Sequence, residues 1–282
     1  MKTFLKIFAG VLLVLAVVLF FVAQRGQSAM FEQYTASSTL SSVPTDSASL
    51  AYGAHLANIF GCRDCHGDNL AGKVFLDIPP FRAVPSNLTS GKGGVADQYK
   101  TVQDWDVAIR HGVTKSGRGM IIMPSPAYHK MNDEDAAALI AWIQSVPPVD
   151  NVLPPTELKF LGKVLAGFGA IDFGKSVNPE PTNTIKPDTS DVVAYGGYFV
   201  NSVCSYCHGE DLRGGPAEGQ PIDPPDLRPV KNWSFEQFKK TLREGITPSG
   251  KKLDTFAMPI AATKHYTDFE LRAIYAYLQT LK

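Results

Sequence analysis

Apolar residues run almost unbroken from Phe4 to Ala23, FLKIFAGVLLVLAVVLFFVA, with Lys6 the one charge. Twenty or so helical residues span about 30 Å, the thickness of a bilayer's hydrocarbon core, so this run predicts a transmembrane helix. A cleaved signal peptide is the alternative, but its apolar region is usually about 7–15 residues and ends at a small-x-small site. Ala23, Ala29 and Ala36 instead have Phe21, Gln27 and Tyr34 two positions before them. Either reading exports the chain. Lys2 and Lys6 precede the run and only Arg25 follows closely, which leaves the bulk outside the cytoplasm, on the periplasmic face of the inner membrane.

Past this segment the apolar spacing turns helical. Leu139, Ile140 and Ile143 follow Asn132 and Asp135, and Leu271, Ile274 and Leu278 follow Thr267 and Glu270, so each group reads as a capped amphipathic helix. No alternating pattern predicts a sheet. The two helices belong to longer repeats. MPSPAYHKMNDEDAAALIAWIQ from Met123 lies over MPIAATKHYTDFELRAIYAYLQ from Met258 without a gap; AIRHGVTKSG from Ala108 matches TLREGITPSG, and AYGAHLANIFG from Ala51 matches AYGGYFVNSV. One fold used twice is the expectation: a membrane anchor or signal segment over 1–29, a Ser/Thr-rich tether over 30–47, a first domain over 48–150, a Pro-rich linker over 151–187 and a second domain over 188–282. Within the linker, LKFLGKVLAGFGAIDF from Leu158 is apolar enough to pack on a domain.

Charge changes the picture little. Lys+Arg and Asp+Glu are 27 each, which removes the basic surface expected of a nucleic-acid binder. Gly 24 and Pro 20 are many for short helical domains, so something besides helix packing must fill their interiors.

That something is suggested by the cysteines. All four lie in Cys62-Arg-Asp-Cys65-His66 and Cys204-Ser-Tyr-Cys207-His208. Cys-x-x-Cys can form a redox disulfide, half a zinc site, or two thioether bonds to haem. A histidine directly after the second cysteine favours haem, since its imidazole can sit beneath the porphyrin iron. Zinc would need two further Cys/His ligands per repeat, and a thioredoxin-like site belongs with a βαβ pattern. The expected cofactors are therefore two covalent haem c, with His66 and His208 as one axial ligand. Met123 and Met258, each followed by proline, are the candidates for the other, since a neutral thioether favours ferrous iron; a gap-filling core role is the plainer alternative. Met120 competes in the first repeat, and Met131 reads as core. His55, His111, His129 and His265 occupy no equivalent places in the two repeats and read as surface or structural. Pro85 and Pro225 are the candidate carbonyls for the histidines' second ring nitrogens. Trp142 and Tyr277 are expected to pack near Gly53 and Gly196. Arg110 and Arg243 are expected either to meet haem propionates or to lie on a solvated helix face.

With these residues in place the sequence resembles the diheme members of the class I cytochrome c family. SNLT at 86–89 and DEDAAALIAWIQSVPPV resemble the cytochrome subunits that accompany membrane dehydrogenases, many of which carry three haem domains where this chain has two motifs. The resemblance implies an all-α fold of two tandem haem domains, single-electron transfer between the irons, and redox partners at the membrane surface, such as a dehydrogenase or respiratory complex. The competing function is a diheme enzyme, peroxidase-like or thiosulfate-oxidising, in which one iron opens a position for substrate.

Overall fold

The computed structural model describes residues 1–216 and 223–282. Helix α1 (Lys2–Ala29) carries the apolar run with its side chains facing outward until Ala23 and Gly26, which are buried. It is long and apolar enough to cross a membrane. The segment after it is not a loose tether. Met30 and Leu40 are buried, and the Tyr34 N–H donates to Gly117 O at 2.7 Å, so the chain lies as a strap along the first repeat.

That repeat contains α2 (Ser47–Ile59), α3 (Cys62–His66), β1 (Leu76–Asp77), β2 (Phe81–Ala83), α4 (Val102–Ile109), α5 (Ser125–Tyr128) and α6 (Asp133–Ser145). The linker supplies β3 (Glu157–Leu158) and α7 (Phe160–Gly167). The second repeat contains α8 (Val192–Phe199), α9 (Ser205–His208), α10 (Phe235–Glu244), α11 (Ile260–Thr263) and α12 (Asp268–Leu278). A π-helical turn, Val200–Cys204, joins α8 to α9 without a break, where Gly61 in the left-handed region interrupts the first repeat.

The helical scaffold agrees with the expectation, and the all-α reading needs one correction. Strands β1, β2 and β3 form a small antiparallel sheet in that order, with Phe81 opposite Leu158. Two- and three-residue strands are too short to show alternation, and the third belongs to the linker.

Close helix crossings hold each repeat. A Cβ on Gly53 of α2 would lie 2.1 Å from Ala138 O of α6, and one on Gly196 of α8 would lie 1.9 Å from Ala273 O of α12. Trp142 and Tyr277 cover these crossings, at Gly53 and at Gly197 beside Gly196. The predicted apolar positions of α6 and α12 are buried, each full burial being worth about 1.5–3 kcal/mol. Thr267 and Glu270 form the expected reciprocal cap. Asn132 makes half of one: its side chain accepts from the Asp135 N–H, while its own N–H reaches the Tyr198 hydroxyl of the other repeat at 3.2 Å.

The two repeats share one continuous core. Their contacts are related by a pseudo-two-fold, because His55 corresponds to Tyr198 and Glu270 to Asp135. His55 Nε2 lies 2.8 Å from Glu270, and the Tyr198 hydroxyl donates to Asp135 at 2.8 Å. Lys186 of the linker lies between the halves, its ammonium 2.9 Å from Asp135, hydrogen-bonded to the Tyr52 hydroxyl and over the Tyr195 ring.

Candidate haem-binding sites

Each Cys-x-x-Cys-His segment is helical, and the chain leaves it through the same backbone path. Gly67, Leu70 and Gly72 have positive φ, as do Gly209, Leu212 and Gly214. The Gly72 N–H donates to His66 O at 2.7 Å and the Gly214 N–H to His208 O at 2.8 Å. A Cβ on Gly72 would stand 2.5 Å from Pro85 O, and one on Gly214 would stand 2.2 Å from Pro224 O. Glycine is therefore required twice over, by conformation and by the approach of the downstream loop.

That approach orients the histidines. His66 Nδ1 lies 2.8 Å from Ser86 O, and His208 Nδ1 lies 2.8 Å from Pro225 O. With Nδ1 donating to a carbonyl, the proton is fixed there and Nε2 keeps its lone pair for a metal. Pro225 serves as expected, whereas in the first repeat the carbonyl belongs to Ser86 rather than Pro85. The loops explain the difference: the Leu88 N–H bonds Leu70 O and the Leu227 N–H bonds Leu212 O, which aligns Ser86 with Pro225. Burial holds both imidazole pKa values below the ordinary range, partly offset by the carbonyl contact, and favours the neutral, ligating form.

Among the described residues no disulfide joins any of the four cysteines. Burial pushes Cys62 and Cys204 up to about 12. Burial therefore favours the neutral thiol at both positions. Among the described residues no group of three His, Cys, Asp or Glu side chains is placed to hold a bare metal ion. Paired thiols beside a neutral, oriented imidazole do fit a porphyrin that brings its own iron.

Met123 and Met258 open matching turns. The Ser125 N–H donates to Met123 O at 2.8 Å and the Ile260 N–H to Met258 O at 2.7 Å, and a proline-led helical turn, α5 or α11, follows each. Both methionines are half-buried, whereas Met131 is wholly enclosed in the core as expected. Tyr128 ties the first methionine segment to its motif, its hydroxyl donating to Phe60 O at 2.8 Å and its ring packing edge-on against Phe60. Tyr266 is buried beside Cys204 in the second repeat.

Each methionine segment also meets the other repeat's cysteine motif. Lys130, just past α5, donates to the Ser205 hydroxyl at 3.0 Å, between Cys204 and Cys207, and to Glu210 at 2.5 Å. Ala262 of α11 faces Gly61, and Lys264 and His265 act electrostatically on Asp64. The two candidate sites therefore adjoin across the interface, a relationship that the linear order of motifs does not disclose.

His55, His111 and the two arginines make structural contacts. His55 joins the repeats. His111 is buried, with Nδ1 2.7 Å from Asn178 O and its ring edge-on to His129. Arg110 does not lie on a solvated helix face: it is fully buried, paired with Asp106 at 2.5 Å and Asp133 at 2.8 Å, and donates to Met131 O. Arg243 repeats this at the surface, bonding Asp268 and Tyr266 O. The cue was present in sequence, because Asp133 and Asp268 occupy the same place in the aligned repeats.

Comparison with known proteins agrees with the repeat structure. Residues 50–147 match the family model described as cytochrome c, and residues 192–278 match that of cytochrome c oxidase, cbb3-type, subunit III. The chain is 28% identical over 267 residues to the cytochrome c subunit of a quinone alcohol dehydrogenase from Gluconacetobacter polyoxogenes, covering 84% of this chain and 56% of that protein. It is 26% identical to a fructose dehydrogenase cytochrome subunit from Gluconobacter japonicus, covering 83% and 52%. A diheme cytochrome c-type protein from Cereibacter sphaeroides is 28% identical, covering 78% and 81%. The chain thus spans about half the length of the two dehydrogenase subunits.

Proposed function

Because this chain is a diheme cytochrome of the class I cytochrome c family with covalently bound haem c, we propose that it is a membrane-anchored carrier of single electrons at the outer face of the cytoplasmic membrane, working as the cytochrome subunit of a dehydrogenase complex. Haem c supplies a one-electron iron couple. In this reading Cys62 and Cys65, and Cys204 and Cys207, hold the two haems by thioether bonds. His66 and His208 would hold the irons through Nε2, with Met123 and Met258 as the candidate second ligands. Neutral ligands on both sides, in a half-buried setting, stabilise the ferrous state and raise the potential. The observation that carries the reading is the repeated 2.8 Å contact between a histidine Nδ1 and a loop carbonyl, which prepares both Nε2 atoms for iron.

The crossed packing of each methionine segment on the other repeat's motif supports direct exchange between the two haems. Lys186 and the Tyr198–Asp135 and His55–Glu270 contacts hold that geometry without a hinge. The strap and α1 meet the first repeat, so the first haem is the membrane-proximal one. The relatives that are dehydrogenase cytochrome subunits support a dehydrogenase as electron donor.

The test is matured full-length protein purified from its native membrane. Two covalent haems by mass, both reducible, together with a copurifying dehydrogenase, are expected. A high-spin ferric signal in the resting protein would favour an enzyme with an open iron instead.

A further inference from the structure

The linker helix α7 is paired with the end of α1. A Cβ on Gly26 would lie 1.9 Å from Lys163 O, and one on Gly167 would lie 2.0 Å from Val22 O. Glycine on both helices lets the backbones touch, as small residues do where helices cross closely. The two contacts also set a register. Position 26 meets 163 and position 22 meets 167, so the helices run antiparallel and residues 168–171 lie level with the last turns of the apolar run, around Phe21 and Phe20.

The far side of α7 is apolar and uncovered. Phe160 and Phe168 are 64% and 67% exposed, and Leu161 is 47% exposed, with Leu165 between them on the same stripe. The exposed side chains of α1 continue this surface through Phe21 and Phe20. The inner side is fixed: Ala166 and Leu158 join Met30 and Phe173 in a second small core, with Phe81 of the sheet and Ile121, two residues before Met123, packed against it.

We propose that α7 and the Phe168–Ile171 turn are a second membrane contact, lying in the headgroup and upper acyl region of the same bilayer that α1 crosses. The inference rests on α1 being a span. The occupant is lipid because the uncovered stripe is continuous with the lipid-facing side of α1 and reaches its depth. Lys163 flanks the stripe at the end away from the apolar run, where an ammonium group meets lipid phosphates, while Lys159 at the same end is paired with Asp77. The consequence is orientation. Since α7, the sheet and Ile121 form one packed unit, the first repeat is held against the bilayer rather than suspended from a tether.

The test uses full-length haem-loaded protein in phosphatidylcholine–phosphatidylglycerol vesicles containing a phospholipid with a diazirine in its acyl chain. After photolysis, adducts are mapped by mass spectrometry, in the wild type and in the triple variant Phe160→Ser, Leu161→Ser, Phe168→Ser. Adducts on both α1 and residues 160–171 are expected, with at least a fivefold loss from 160–171 alone in the variant. Adducts on α1 but none on 160–171 overturn the second contact and leave the span intact; a protein then covers the stripe. Adducts on neither refute the span and this inference together.

Discussion

His55 and Glu270 meet across the interface at 2.8 Å, and their counterparts Tyr198 and Asp135 meet at 2.8 Å on the other side of the pseudo-two-fold. One end of each contact lies on the helix before a cysteine motif, the other on the closing helix of the opposite repeat. Fixing these four side chains fixes the separation of the two sites.

The Glu270 carboxyl carries a pH dependence. Burial pushes its pKa up, but the hydrogen bond and charge of His55, with the Thr267 N–H and hydroxyl, outweigh burial and hold it below the ordinary carboxylate value. A depressed folded-state pKa contributes stability that is complete above the unfolded value of about 4.3 and is lost as pH falls through the folded one. Glu270→Gln keeps the helix cap and removes the charge. It should cost about 1–3 kcal/mol at neutral pH. In denaturant titrations the gap from wild type should close as pH drops below about 4.

Lys186 neutralises an acid that has no access to water. The Asp135 side chain is 2% exposed and its cation comes from the linker. Lys186→Met should therefore cost about 3–5 kcal/mol. The unfolding midpoint measures the cost, and the time course of reduction by a slow donor should show the two haems equilibrating less readily if the interface loosens.

Arg110 and Arg243 occupy equivalent places and should differ in effect. Arg110→Ala leaves buried Asp106 with only His111, 3.8 Å away, a loss of about 3–5 kcal/mol. Arg243→Ala removes a surface contact and should cost about 1 kcal/mol. Neither should change the haem count, and chemical denaturation followed with a haem stain separates these outcomes.

Gly214→Ala tests the loop that aims His208. The added methyl meets Pro224 O in a backbone region unfavourable to alanine, so a loss of about 1–3 kcal/mol is expected. A displaced Pro225 carbonyl should also shift the potential of the second haem alone, which redox titration reads directly.

Sequence disclosed the repeats, the capped closing helices and the cysteine motifs because each depends on local order. It missed features set by distance in space. The linear pattern marks Pro85, whereas the backbone register that pairs Leu88 with Leu70 brings the Ser86 carbonyl to His66. The sheet is not legible because its third strand belongs to the linker; the apolar stretch from Leu158 announces that it packs but not that its partner is a helix more than a hundred residues earlier. Arg110 read as ambiguous since burial follows from Asp106 and Asp133 closing around it.

The central claim is that two haems are held by His66 with Met123 and by His208 with Met258. Its most direct test is the far-red methionine–iron charge-transfer band of the fully matured oxidised protein, compared with Met123→Ala and Met258→Ala. Each substitution should leave two covalent haems by mass while removing about half the band, and together they should abolish it. A band that persists undiminished in the double variant, or a wild-type protein that never shows one, would contradict the account.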